Sequence, residues 1–303
     1  MSILVELPPD QYDREAFATF DAASTDFDLG VARAMMWMSQ LAYETREPET
    51  IHAVAGFWGL SDVRALTAPA RSTLPLTDTH GIVARKGNAT IVAFAGTDPL
   101  HLMNWVSDFS LGRAKASVHA GFEDAAKAVW DDVRPALAEA RASNAPIFIT
   151  GHSLGAAIAV ITADFAHDQL GLADAQVYLY GCPRVGRDDF VARYDRSFGN
   201  RTYRLVHGAD VVPTVPPPKL GFHHVGRYLA CASGGRFDAG RLTPGVGSDE
   251  PMATAGIGEQ LASIFRGRSQ NTRSDAVGQL TALLPMGIGD HLPDRYYAAL
   301  KPV

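Results

Sequence analysis

The spacing of apolar positions changes several times along the chain, and each change predicts an element. From Asp28 onward, Val31, Met35, Met38 and Ala42 recur at three- and four-residue steps, with Ala34, Trp37 and Leu41 beside them. That spacing is one face of an amphipathic helix. Its M-M-W-M cluster reads as core packing in preference to a lipid-binding surface. Residues 1–27 carry prolines and scattered acids and show no period. Two β-type runs follow, G-I-V-A-R at 81–85 and T-I-V-A-F-A at 90–95, flanking K-G-N at 86–88, which predicts a hairpin. Residues 119–142 read as a helix. Pro146 opens the apolar run I-F-I-T, a buried-strand pattern. A long helix is predicted next, from Leu154 to Leu170 and closed by Gly171.

Three further strand patterns are Q-V-Y-L-Y-G at 176–181, T-Y-R-L-V-H at 202–207 and F-H-H-V-G-R-Y-L at 222–229. Strands alternating with helices imply an α/β architecture whose central sheet is mostly parallel. Residues 232–256 are rich in Gly and Ser and read as loop. Two short helices, Gly258–Phe265 and Ala276–Leu284, are expected on either side of the polar stretch R-G-R-S-Q-N-T-R-S-D. The expectation is one domain over residues 1–303, without repeats.

Composition narrows the class. Hydrophobic residues make up 47% of the 303 and charged residues 20%, enough for a substantial core without staples. The net charge of -6 and pI near 5.9 argue against nucleic acid as a partner, since phosphate recognition needs a basic footprint. Two cysteines, Cys182 and Cys231, allow at most one disulfide. No run reaches the ~18 apolar residues of a transmembrane segment. The opening M-S-I-L-V-E-L-P-P-D has neither a basic n-region nor an apolar h-region. The sequence therefore reads as cytoplasmic, with a secreted mature form as the alternative.

The strongest chemical signal is I-F-I-T-G-H-S-L-G-A-A at 147–157, which contains Gly151-His152-Ser153-Leu154-Gly155. G-x-S-x-G alone is a short pattern, but here a strand precedes Ser153 and a long helix follows, the setting of a nucleophile elbow. A turn this tight tolerates little bulk on either side, hence the flanking glycines. The helix N-terminus behind the serine offers free N–H groups and a positive dipole end to a developing anion.

A serine nucleophile needs a base, and the base needs an orienting carboxylate. In the α/β-hydrolase order both lie downstream. Asp210 is the leading acid, just past a strand in the proline-rich D-V-V-P-T-V-P-P. Asp188 and Asp189 are rivals at a helix start, while Asp164 and Asp168 are expected to face solvent from the helix after Ser153. Only His223, His224 and His291 follow Asp210. His291 sits in a late loop; His223 and His224 sit in a strand-like run, one expected outward and one inward.

Seven ordered blocks carry a resemblance to the class 3 lipases, a family that includes fungal triacylglycerol lipases. They are A-F-A-G-T (93–97), N-W-V-S-D-F (104–109), V-H-A-G-F (118–122), G-H-S-L-G-A-A, Y-G-C-P-R-V-G (180–186), D-V-V-P-T-V-P-P (210–217) and Asp290-His291. The resemblance covers roughly residues 28–300 and implies an α/β-hydrolase fold. It also implies a Ser153–Asp210–His291 triad and an oxyanion hole from Thr97 and the Leu154 N–H. Two positions depart from the family pattern. Ala95 stands where an Arg is usual, which touches a supporting ion pair and leaves the oxyanion chemistry alone. In D-H-L-P-D-R-Y-Y the aromatics come later than in D-H-x-x-Y.

The expected activity is hydrolysis of carboxylic esters, with acylglycerols as substrates, needing no metal or organic cofactor. Phospholipid, short-chain and feruloyl esters are alternatives with the same chemistry, and a non-catalytic binding protein is the alternative from another class. The segment 98–110 contains Leu100, Met103, Trp105 and Val106, too apolar for a plain exposed loop. It is expected to form a lid that meets substrate and makes transient contact with a lipid interface; the alternative is a fixed helix packed on the core.

Overall fold

The computed structural model describes residues 5–69, 78–97, 101, 118–244, 246 and 284–302. Seven strands form one sheet: β1 (Ser61–Ala68), β2 (Thr79–Lys86), β3 (Ala89–Phe94), β4 (Ile147–His152), β5 (Gln176–Tyr180), β6 (Thr202–His207) and β7 (Arg227–Cys231). Their spatial order follows the chain order. β1, β2 and β3 pair antiparallel, and β3 through β7 are parallel. The hairpin expected at K-G-N is present: Lys86 pairs with Ala89, and Gly87 takes φ +59° in the turn, a conformation glycine adopts without penalty.

Helices cover both faces, which is why the central strands read as unbroken apolar runs. One face carries α1 (Leu29–Leu41), α2 (Pro48–Trp58) and α7 (Pro293–Ala299); the other carries α3 (Val118–Ala142), α4 (Leu154–Leu170) and α5 (Asp188–Phe198). Side chains alternate between the two cores, as the two-residue strand period requires. Val92, Phe94, Ile149, Val177 and Leu179 point to the α3–α4 side, and Ile91, Ala93, Phe148, Tyr178 and Tyr180 to the α1 side.

Helix α1 begins as expected at Asp28, whose side chain accepts from the Val31 N–H at 2.8 Å and caps the helix. Met35, Met36, Trp37 and Met38 are all buried, so the methionine cluster is core. Helix α4 ends at Gly171 with φ +64°, and α5 begins at Asp188.

Several expectations are corrected. Strand β1 and helix α2 had no counterpart in the pattern reading. The run at 222–229 becomes a strand only from Arg227, because Gly226 with φ +72° breaks it; His223 makes an isolated bridge to Gly186 instead. Asp164 is buried, not solvent-facing, and its carboxylate accepts from Arg193 Nη2 at 2.6 Å. Cys182 and Cys231 are buried and form no disulfide with each other. No described helix is long and apolar enough to cross a membrane. The expected lid residues Leu100, Met103, Trp105 and Val106 lie outside the described residues, as do the helix at 258–265, the polar stretch after it and 276–283.

Candidate active site

Ser153 and Asp210 follow the C-terminal ends of the parallel strands β4 and β6, where open α/β sheets place their sites. Ser153 stands between β4 and α4 with φ +60° and ψ −127°. For a residue with a Cβ this backbone costs on the order of 1–3 kcal/mol, and the surroundings hold it. The Ser153 N–H donates to the Tyr180 carbonyl at 2.9 Å, tying the elbow to the end of β5. A Cβ on Gly151 would lie 2.2 Å from the Gly155 carbonyl oxygen, and one on Gly155 would lie 2.4 Å from that of Phe94. Both flanking positions are thus closed to side chains, and the glycine spacing follows from packing around the turn. Gly96 is equally confined: its Cβ would meet Ser153 Cβ at 2.6 Å and Tyr43 Oη at 2.5 Å. Thr97, one residue on, is buried, and Leu154 opens α4, whose first N–H groups have no partner within the helix.

Asp210 lies three residues past β6, fully buried. His291 follows the short helix α6 (Met286–Gly289) and is also buried. The two meet across 81 residues of chain: His291 Nδ1 lies 2.9 and 2.8 Å from the two Asp210 carboxylate oxygens. Asp210 Oδ1 also accepts from the Val212 N–H at 2.8 Å, and Oδ2 accepts from the Tyr296 hydroxyl. A carboxylate only accepts, so the imidazole proton sits on Nδ1 and the lone pair on Nε2. That Nε2 is buried without a hydrogen-bond partner, and so is Ser153 Oγ. Gly181 allows this approach, since its Cβ would lie 2.7 Å from Asp210 Oδ2 and 2.8 Å from the His291 ring.

His152, the variable residue before Ser153, packs its ring 4.7 Å from that of His291. Its Nε2 donates to the His291 carbonyl at 2.8 Å, so Nδ1 is the acceptor and takes the Tyr43 hydroxyl at 2.8 Å. Burial, helped by the neighbouring His291, pushes the His152 pKa well below the usual value and keeps the ring neutral. Burial, together with the Asp210 carboxylate, pushes the Tyr296 phenol well up, so it remains a donor.

The structure brings His291 onto Asp210, sets Ser153 next to His152, whose ring packs on that of His291, and places Leu154 and the Gly96–Thr97 turn beside the serine. The rivals do not join them. His223 Nε2 lies 3.0 Å from Asp188 in an exposed pair, and His224 Nε2 bonds the Pro213 carbonyl. Pattern reading missed Tyr296, His152 and Tyr43. The late aromatic of D-H-L-P-D-R-Y-Y was the one visible signal: Pro293 starts α7 there, and that helix carries Tyr296 back over Asp210. Ala95, in the position where an Arg is usual, is buried in the α1-side core. Among the described residues no group of His, Cys, Asp and Glu side chains could hold a metal ion.

A mostly parallel sheet between two helical layers, with a strained serine at a strand–helix elbow, defines the α/β-hydrolase fold. Within it, the chain matches the family "Lipase (class 3)" over residues 91–220. It is 35% identical over 134 residues to secreted mono- and diacylglycerol lipase 1 of Fusarium solani, covering 41% of this chain and 39% of that protein. It is 33% identical over 160 residues to secreted mono- and diacylglycerol lipase A of Penicillium cyclopium, covering 50% and 51%. The matched stretch thus spans about half or less of these relatives' own length. The solved lipase II from Rhizopus niveus aligns with a TM-score of 0.55 at 22% identity, over 74% of this chain and 89% of that one.

Proposed function

We propose that this chain is a serine hydrolase of carboxylic esters that acts on acylglycerols through an acyl-enzyme on Ser153. The observation that carries the reading is the pair of buried atoms left without partners, Ser153 Oγ and His291 Nε2, with Asp210 behind the imidazole. Unsatisfied buried polar atoms are costly, and a reacting hydroxyl and an incoming carbonyl would supply what they lack. Ser153 Oγ attacks the acyl carbon while His291 Nε2 takes its proton and passes it to the leaving alcohol. Asp210 holds the tautomer and stabilises the transient imidazolium. The N–H groups of Thr97, past the end of β3, and of Leu154, at the positive end of α4, serve as the oxyanion donors. Water then attacks the acyl-enzyme with the same base, releasing the fatty acid. The names of the fungal relatives support acylglycerols as the substrate class and are consistent with a secreted form.

The test is hydrolysis of mono-, di- and triacylglycerols beside a phospholipid, a feruloyl ester and short nitrophenyl esters. The reading expects preference for the acylglycerols. Preference for phospholipid, feruloyl or short esters would move the substrate class and keep the chemistry.

A further inference from the structure

The residue before the proposed base has chemistry of its own. Asp290 is 4% exposed. Its Oδ2 accepts from the Ala209 N–H at 2.8 Å and from the Ser233 hydroxyl. Its Oδ1 lies 3.5 Å from His207 Nδ1. The Gly234 N–H donates to His207 Nε2 at 3.2 Å, so the His207 proton is on Nδ1 and faces the carboxylate. No role in the ester chemistry above needs these four groups.

We propose that Asp290 is a positioning residue: a buried carboxylate strut that sets the spacing between the loop carrying Asp210 and the loop carrying His291. Ala209 precedes Asp210, and Asp290 precedes His291. Two consecutive pairs therefore cross between the same loops, 209 to 290 and 210 to 291, each across 81 residues. The first pair joins a side chain to backbone and fixes distance; the second is the proposed acid–base pair. A parallel tie runs from the Val211 N–H to the Gly287 carbonyl at 3.2 Å, and the His152 ring holds the His291 carbonyl on the other side.

Gly208 shows how close this approach is. It takes φ +56°, and a Cβ there would lie 2.3 Å from Asp290 Oδ2. The loop before Asp210 thus passes directly against the carboxylate, which accepts from its Ala209 N–H. A carboxylate buried against neutral donors is costly unless those donors hold it. Here the Ala209 N–H and the Ser233 hydroxyl both hold Oδ2, while His207 Nδ1 stands 3.5 Å from Oδ1, beyond a formed hydrogen bond.

This inference rests on the reading of Ser153, Asp210 and His291 given above, and its test separates the two. The parent, Asp290→Ala and Asp290→Asn are titrated with an organophosphonate, and turnover of nitrophenyl butyrate is expressed per titrated site. Asp290→Ala is expected to lower kcat per site by about 30- to 100-fold, the scale of an ångström-sized misplacement, with KM held within about twofold. Asp290→Asn keeps an oxygen for Ala209 and is expected to recover most of that loss. A parental kcat per site in Asp290→Ala, or a loss lying in KM or in the number of titratable sites, overturns the strut. If Asp290→Ala does not fold, Ser233→Ala removes one donor and must lower kcat per site; an unchanged value overturns the proposal. A parent that titrates no serine refutes the underlying reading instead.

Discussion

Tyr296→Phe removes one hydroxyl and keeps the ring, so its effect isolates a single hydrogen bond. That hydroxyl donates to Asp210 Oδ2 in a place where neither residue has measurable exposure. Asp210 is left with the Val212 N–H and the His291 ring. A hydrogen bond to a charged group contributes about 1.5–3 kcal/mol. In a domain of this size that corresponds to a Tm lowered by about 2–5 °C. The same hydroxyl shares Oδ2 with His291 Nδ1, so its loss frees the carboxylate to turn. We expect kcat on nitrophenyl butyrate to fall by about 5- to 30-fold with little change in KM, below the cost of a full ångström-scale displacement. Thermal melts and active-site-titrated kinetics measure the two quantities. A variant with parental Tm and parental kcat would show that Tyr296 merely packs over Asp210.

Two other perturbations follow from the same geometry. His291→Ala should lower kcat by about 10⁴-fold or more, as members of such a unit do, whereas His223→Ala and His224→Ala, whose rings bond Asp188 and Pro213, should keep most activity in the same assay. Glu44 gives a stability prediction: burial pushes its pKa up to about 7 even though the Leu7 N–H and Tyr12 hydroxyl donate to it. Its folded value lies above its unfolded one, so the folded state holds the proton more tightly and stability falls as pH rises from the ordinary carboxyl range through about 7. Glu44→Gln should flatten that part of the Tm–pH curve and, at pH 8, recover about 3 kcal/mol.

Sequence pattern showed most clearly what is local. The elbow was legible because a buried strand, two glycines and a helix adjoin Ser153 within a dozen residues, each with its own steric reason. Asp210 was legible because a strand ends beside it and prolines mark the loop. The packing of α1 was legible from its period. What lay hidden depends on contacts across the chain. Tyr296 reaches Asp210 over 86 residues and His152 reaches the His291 carbonyl over 139, and no spacing rule encodes either. Asp164 looked solvent-facing because its partner, Arg193, sits 29 residues away on another helix. The late start of the strand expected at 222–229 comes from Gly226, whose left-handed backbone is closed against Thr202: a Cβ there would lie 2.5 Å from the Thr202 carbonyl oxygen. β1 escaped notice because mostly polar, exposed residues interrupt its apolar positions.

The central claim is that Ser153 is the nucleophile, and covalent trapping tests it most directly. The protein is treated with an alkyl organophosphonate, digested, and mapped by mass spectrometry while ester hydrolysis is followed in parallel. The account predicts one adduct per chain, on Ser153, with activity lost in step with labelling and no adduct in Ser153→Ala. An adduct on another residue, or full hydrolysis by Ser153→Ala, would contradict it.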